Sequence, residues 1–260
     1  MLAHVALLTA SNTIVRTLLA PTCAACGGLL LHPLEGPVCA GCWRALPRLT
    51  PPWCVRCGDA LPARLAGPHC VRCRRHESAL ALSRSAGVYD GSLRQIIHAF
   101  KYGGRRVLGA RLARLMREAG VDLLAGADAV IPVPLHPWRA LGRGFNQADD
   151  LARGLGRPVW RVLRRTRHGP PQAALPAAER QGNVDRAYAL RLSPWSERRL
   201  LNRSVVLVDD VMTTGATLEA CARVLAAAGV RRVTALTAAR AVAGPPRPPP
   251  PTRHPSAARR

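Results

Sequence analysis

Lysine is all but absent from this chain. Lys101 is the single example among 38 basic residues, so a net charge of +23 against 15 acidic residues rests on arginine. The P-loop signature G-x-x-x-x-G-K-[ST] is thereby excluded, because the only lysine follows Phe100. The dinucleotide fingerprint G-x-G-x-x-G is missing as well; its nearest approach, at residues 142–147, lacks the third glycine. Aromatic residues make up 4% of the chain and do not interleave with the arginines. The charge is equally compatible with polyanion binding, which salt would weaken, and with a composition biased toward Arg, Ala, Gly and Pro. No apolar run approaches the ~20 residues of a membrane span. The stretches at 5–8 and 18–20 are short, and Arg16 lies between them. A basic start and a long apolar centre, the marks of a signal peptide, are wanting too. Residues 1–22 are expected to form an amphipathic segment of a cytoplasmic protein with no membrane span.

What is present divides the chain. Its 260 residues, 48% of them apolar, suffice for one large or two smaller buried cores. Residues 244–260 hold seven prolines in seventeen positions and are basic. Such a segment cannot bury a core, and 241–260 is expected to be a disordered tail.

Eight of the nine cysteines form four C-x-x-C pairs: Cys23 and Cys26, Cys39 and Cys42, Cys54 and Cys57, Cys70 and Cys73. Twelve residues separate the first pair from the second, and twelve again the third from the fourth. One such pair brings two thiolates onto a cation at tetrahedral angles, and a second completes four-coordinate Zn2+. Gly27 and Gly58 follow two of the pairs and suit tight knuckle turns. Disulfides would need an oxidising compartment, for which the sequence carries no targeting segment. Redox C-x-x-C chemistry sits at a helix start in a strand-rich domain, and this region has little strand or helix pattern. Two structural zinc sites in a double ribbon over 23–76 are therefore expected. Sequential pairing is the simpler arrangement, and a crossed one stays open. His32, His69 and His76 lie nearby, but four thiolates leave no ligand position for them.

From residue 82 the pattern changes. Strands are expected at 85–89, 129–133, 159–163, 204–209 and 233–237, and helices at about 91–100, 105–118, 146–155 and 216–228. In the first helix Leu93, Ile96, Ile97 and Phe100 share one face, with Asp90 or Ser92 as its cap. Residues 135–145 and 166–182 read as loops, the second long enough to be a lid. Alternating strands and helices predict an α/β domain over 82–240, a parallel sheet with helices on both faces.

The run VVLVDDVMTTGAT, residues 205–217, concentrates the chemistry. Four apolar residues suit a central parallel strand, and ligands bind beyond the carboxyl ends of such strands. Asp209 and Asp210 stand there. Thr213, Thr214, Gly215 and Thr217 lead into a helix N-terminus, where free N–H groups, the helix dipole and hydroxyls attract an anion. A ligand with a phosphate on one side and hydroxyls or a metal on the other matches both halves.

This run resembles the 5-phosphoribosyl 1-pyrophosphate (PRPP) motif of type I phosphoribosyltransferases. With VIPVPLHPWRALGRGFNQA at 130–148, Lys101-Tyr102-Gly103, the 166–183 segment and the ordered cysteine pairs, residues 18–240 resemble the ComF (ComF/GntX) family. The resemblance implies a type I phosphoribosyltransferase-like sheet preceded by a double zinc ribbon. Asp209 and Asp210 would hold the ribose hydroxyls, directly or through Mg2+. Thr213, Thr214, Gly215 and Thr217 would bind the 5-phosphate, Arg139 and Arg143 the pyrophosphate, and Gln172 and Arg180 would line a hood. The family association also implies handling of single-stranded DNA, with competence-machinery partners. Phosphoribosyl transfer to an acceptor and non-catalytic DNA handling with PRPP as a ligand both remain open.

Overall fold

The computed structural model describes residues 2–49, 51–61, 67–135, 144–166, 187–191 and 198–242, without the side chains of 2–10. The tail from 243 onward lies outside them. Helix α1 spans Leu2–Leu19, and two short helices follow, α2 (Ala40–Arg44) and α3 (Val71–Arg75). Four strands then form one all-parallel sheet: β1 (Leu82–Ser85), β2 (Ala129–Pro132), β5 (Ser204–Met212) and β6 (Arg232–Arg240), in the order β1-β6-β5-β2. The crossovers carry α4 (Gly91–Tyr102), α5 (Leu108–Ala119), α6 (Val121–Ala125), α7 (Gln147–Arg153) and α8 (Ala216–Ala227). A separate antiparallel pair joins β3 (Leu163–Arg165) to β4 (Tyr188–Leu190).

Strand alternation divides the core. Val206 and Val208 of β5 face α4, α5 and α7, whereas Val205 and Leu207 face α8 and the β3–β4 pair. The expected stripe on α4 holds: Leu93, Ile96, Ile97 and Phe100 are buried, each contributing about 1.5–3 kcal/mol of burial. Asp90 caps this helix by accepting from the Gly91 N–H at 2.8 Å. Ser92 instead donates to the Ala45 carbonyl.

Two strands differ from expectation. β1 lies three residues earlier than predicted, at 82–85, although Ala86 and Tyr89 still donate to Thr237 and Arg240 of β6. Its outer edge is taken by the cysteine region: Ser83 donates to the Arg56 carbonyl at 2.7 Å and Val88 to that of Pro47 at 2.8 Å. An exposed sheet edge is thus covered by backbone from outside the domain. Of the predicted 159–163 strand, Val159 makes a single bridge to Val130 at the outer edge of β2 and Leu163 opens β3. Pro158 accepts from the Val130 N–H but has no N–H of its own to carry the ladder backward, and beyond Trp160, which donates to the Val130 carbonyl, the chain leaves to pair with β4.

The cysteine region is an internal repeat at an offset of 31 residues. Cys23 recurs as Cys54 and Cys42 as Cys73, and α2 recurs as α3. Backbone bonds repeat as well: Gly27 N–H to Cys23 and Gly58 N–H to Cys54, both 2.8 Å, close the knuckles. Gly27 and Gly58 have φ of 69° and 70°, the left-handed conformation that glycine adopts without strain.

Candidate functional site

β5 outruns its neighbour. The β2 register ends at Pro132 opposite Val208, while β6 continues beside β5 to Met212 opposite Arg240. Asp209 and Asp210 therefore project where β2 stops, beside the start of the loop that follows it. Being consecutive in a strand, they point to opposite faces.

Asp210 is buried and forms an ion pair with Lys101 at 2.7 Å, both side chains less than one-fifth exposed. The single lysine of the chain, delivered by the last turn of α4, thus neutralises one of the two carboxylates. The sequence marks Lys101 as the single lysine, which excludes a P-loop, and as part of the Lys101-Tyr102-Gly103 resemblance, but gives it no role at the site. Its solitude among the arginines was the available signal. Asp209 faces the other way, toward Tyr188 and Cys221, and is only partly buried. Its Oδ1 accepts from the Asp210 N–H at 2.8 Å. Desolvation, aided by the neighbouring Asp210 charge, pushes the Asp209 carboxyl up to about 7, against the opposing pull of that N–H and Lys101.

Thr213 and Thr214 are exposed and Gly215 and Thr217 partly so, all on the turn from β5 into α8. Gly215 adopts φ 81° at the N-cap, and a Cβ there would meet Met212 Cε at 2.7 Å. The Thr214 hydroxyl accepts from the Ala216 N–H, and Thr217 bonds to the buried Tyr188 of β4. Asp209 and the 213–217 turn therefore share one end of the sheet. Arg139, Arg143, Gln172 and Arg180 lie outside the described residues, as does His136. Their flanks are described: the first two follow β2, and the other two fall between β3 and β4.

The eight paired cysteines gather sequentially, Cys23, Cys26, Cys39 and Cys42 in one cluster and Cys54, Cys57, Cys70 and Cys73 in another. Sulfur separations of 3.9 Å (Cys23–Cys42), 4.0 Å (Cys26–Cys39) and 3.7 Å (Cys57–Cys70) are far beyond a disulfide. They fit the ~3.8 Å edge of a tetrahedron with Zn–S bonds of ~2.3 Å. Burial alone would raise the Cys23 thiol, but N–H donors from Cys39, Cys26 and Ala25 prevail and bring it down to about 6. The same balance, with donors from Cys57, Cys70 and Arg56, brings Cys54 to about 7. One thiol of each cluster is thus drawn toward the thiolate that zinc requires, whereas burial pushes Cys42, Cys57 and Cys73 up; the donor set leaves a bound zinc no open coordination position.

Residues 141–252 match the phosphoribosyl transferase domain, and residues 14–74 match the double zinc ribbon domain. With the parallel sheet and the two four-cysteine clusters, this defines a phosphoribosyltransferase-like α/β protein with an N-terminal double zinc ribbon. Competence protein F of Haemophilus influenzae is 35% identical over 167 residues, 60% of this chain and 71% of the relative. DNA utilization protein YhgH of Shigella flexneri is 34% identical over 158 residues, 56% of this chain and 66% of that protein. Competence protein ComFC of Bacillus subtilis is 26% identical over 152 residues, 58% of this chain and 60% of that protein. The chain belongs to the ComF family. No helix among the described residues is long and apolar enough to cross a membrane.

Proposed function

We propose that this chain binds PRPP with Mg2+ at the carboxyl end of β5 and transfers its phosphoribosyl group to a nucleophilic acceptor. The observation that carries the reading is the juxtaposition of a partly exposed carboxylate, Asp209, with a left-handed Gly215 turn at the start of a twelve-residue helix. Asp209 would hold the ribose hydroxyls or the cation. Asp210, paired with Lys101, would stand at the other side of the strand end as a charge-balanced partner to the sugar. Thr213, Thr214, Gly215 and Thr217 would receive the 5-phosphate through N–H groups, hydroxyls and the helix dipole.

In the transfer, the bond from the anomeric carbon to pyrophosphate breaks, pyrophosphate leaves with the electron pair, and the acceptor bonds to that carbon. Mg2+, when bound, supplies charge neutralisation for the departing group. Arg139 and Arg143 are proposed to face the pyrophosphate, and Gln172 and Arg180 to belong to a hood that excludes water.

A second reading rests on the net charge of +23 and on relatives named for competence and DNA utilization. In it, the protein handles single-stranded DNA in the cytoplasm, with competence-machinery partners, and PRPP is only a ligand. Both are tested by incubating the protein with Mg2+, PRPP and either a nucleobase pool or single-stranded DNA. Pyrophosphate release that Asp209→Asn with Asp210→Asn abolishes supports transfer. Salt-sensitive DNA retardation without release supports the second reading, and the absence of both signals sinks both.

A further inference from the structure

Arg72 lies on α3, between Cys70 and Cys73, and its Nη1 donates to the carbonyl of Thr214 across 142 residues of sequence. It also neighbours Cys57, Cys73 and Asp59, so its guanidinium stands between a thiolate cluster and the proposed phosphate turn. Two further ties bind the same turn to the same part of the chain. Arg240, fully buried at the end of β6, donates to the Cys57 carbonyl at 2.7 Å and to Asp59 Oδ1 at 3.2 Å, and its Nη1 also contacts Met212 Sδ at 3.0 Å. Glu219, in the first turn of α8, accepts from Ser78 Oγ at 2.6 Å and from the Ala79 N–H at 2.8 Å, just beyond the second cluster.

We propose that Arg72 is a positioning residue through which the second cysteine module sets the geometry of the phosphate turn. The reason lies in the peptide unit. The Thr214 carbonyl and the Gly215 N–H belong to one planar trans peptide and point in opposite directions. A cation fixed on the carbonyl therefore fixes the direction of the N–H and polarises it toward an anion on the far side. Within the turn the Thr214 hydroxyl holds the Ala216 N–H, and the preceding peptide, before a glycine with wide conformational freedom, is held by Arg72. The first module cannot replace it, because the residue equivalent to Arg72 there is Gly41.

The inference rests on the reading of residues 213–217 as a phosphate site, and the test separates the two. PRPP with Mg2+ is titrated into the full chain by calorimetry, for wild type, Arg72→Ala, Arg72→Lys and the exposed control Arg75→Ala. Zinc content is measured in each. Affinity should fall about three- to tenfold in Arg72→Ala, as expected for a charge-assisted bond at an exposed site, return in part in Arg72→Lys, and hold in Arg75→Ala. Zinc content should remain at the wild-type level throughout. In parallel, 15N relaxation of the Gly215 and Ala216 amides, which needs no ligand, should show order parameters in Arg72→Ala falling toward the flexible range below about 0.6. Unaltered affinity or unaltered order in a zinc-replete Arg72→Ala overturns the positioning role while leaving the phosphate site standing. A wild-type chain that binds no PRPP overturns the phosphate site, and the relaxation measurement then still decides whether Arg72 orders the turn.

Discussion

The two cysteine modules share a ligand pattern and a backbone hydrogen-bond scheme, yet they dock by different physics. The first contributes Cys23, Leu30, Val38 and Trp43 to the same core as α4, α5 and Val206 and Val208 of the sheet. In the second, the buried residues Cys54, Cys57 and Cys70 form a small cluster of their own, and its ties to the domain run through the guanidinium groups of Arg72, Arg84 and Arg240 and through the Arg56 carbonyl, which accepts from Ser83. Metal ligation specifies only the inward-facing positions of a ribbon. The outward positions are free to be apolar, as Trp43 is, or basic, as Arg74 is at the equivalent place. The first module backs α4, which delivers Lys101 to Asp210. The second backs the turn from β5 into α8. Each therefore supports one half of the candidate site.

The strongest challenge to this contrast is to dismantle one module at a time. Cys54→Ser with Cys57→Ser should abolish PRPP binding along with one zinc per chain. Cys23→Ser with Cys26→Ser should cost one zinc and much stability while residual folded protein still binds. Metal analysis and calorimetry on the two proteins check this, and equal loss of binding would erase the distinction. A smaller effect is expected at the end of α4. Lys101→Met leaves Asp210 buried without its cation, which should destabilise the chain by about 3–5 kcal/mol in urea unfolding. Adding Asp210→Asn should restore part of it; a single variant as stable as wild type would detach Lys101 from the support ascribed to the first module's side.

A pH series sharpens the picture of the opposite face. The folded pKa of Asp209 is raised to about 7, above the ~3.9 of an unfolded aspartate. Between those values the folded chain keeps a proton that the unfolded chain has released, so this group's contribution to stability is lost as pH rises from about 4 to about 7. The stability of wild type relative to Asp209→Asn should decline across that window and level off above it. A difference that stays flat would place Asp209 in an ordinary solvated environment. The smallest effect belongs to the first module's rim, where the Arg111 guanidinium lies over the Trp43 ring at 4.4 Å. Arg111→Ala should cost about 0.5–1 kcal/mol in thermal unfolding and leave PRPP affinity unchanged. A drop in affinity there would mean that the first module reaches the turn at 213–217 after all.

Much of this molecule was legible locally. The C-x-x-C spacing announced the clusters because ligand geometry acts over four residues, and the apolar run ending in Asp209 and Asp210 announced a central strand that ends in two carboxylates. The stripe on α4 and its Asp90 cap were equally readable. The errors fell where a neighbour decides: β1 is set by what pairs with both of its edges, and the strand expected at 159–163 is displaced to 163–165 because its partner is β4 rather than β2.

By itself, the amino-acid sequence determined the repeat of the cysteine pairs, the parallel α/β class and the turn from strand into helix at 213–217, all consequences of short-range spacing and residue type. Tertiary structure alone decided which carboxylate is neutralised, which arginine reaches the turn at 213–217, and that the two ribbons bind the domain differently. Those facts depend on contacts between residues as many as 183 positions apart, such as Arg240 with Cys57. One arginine looks like another until the fold buries it beside a particular carbonyl.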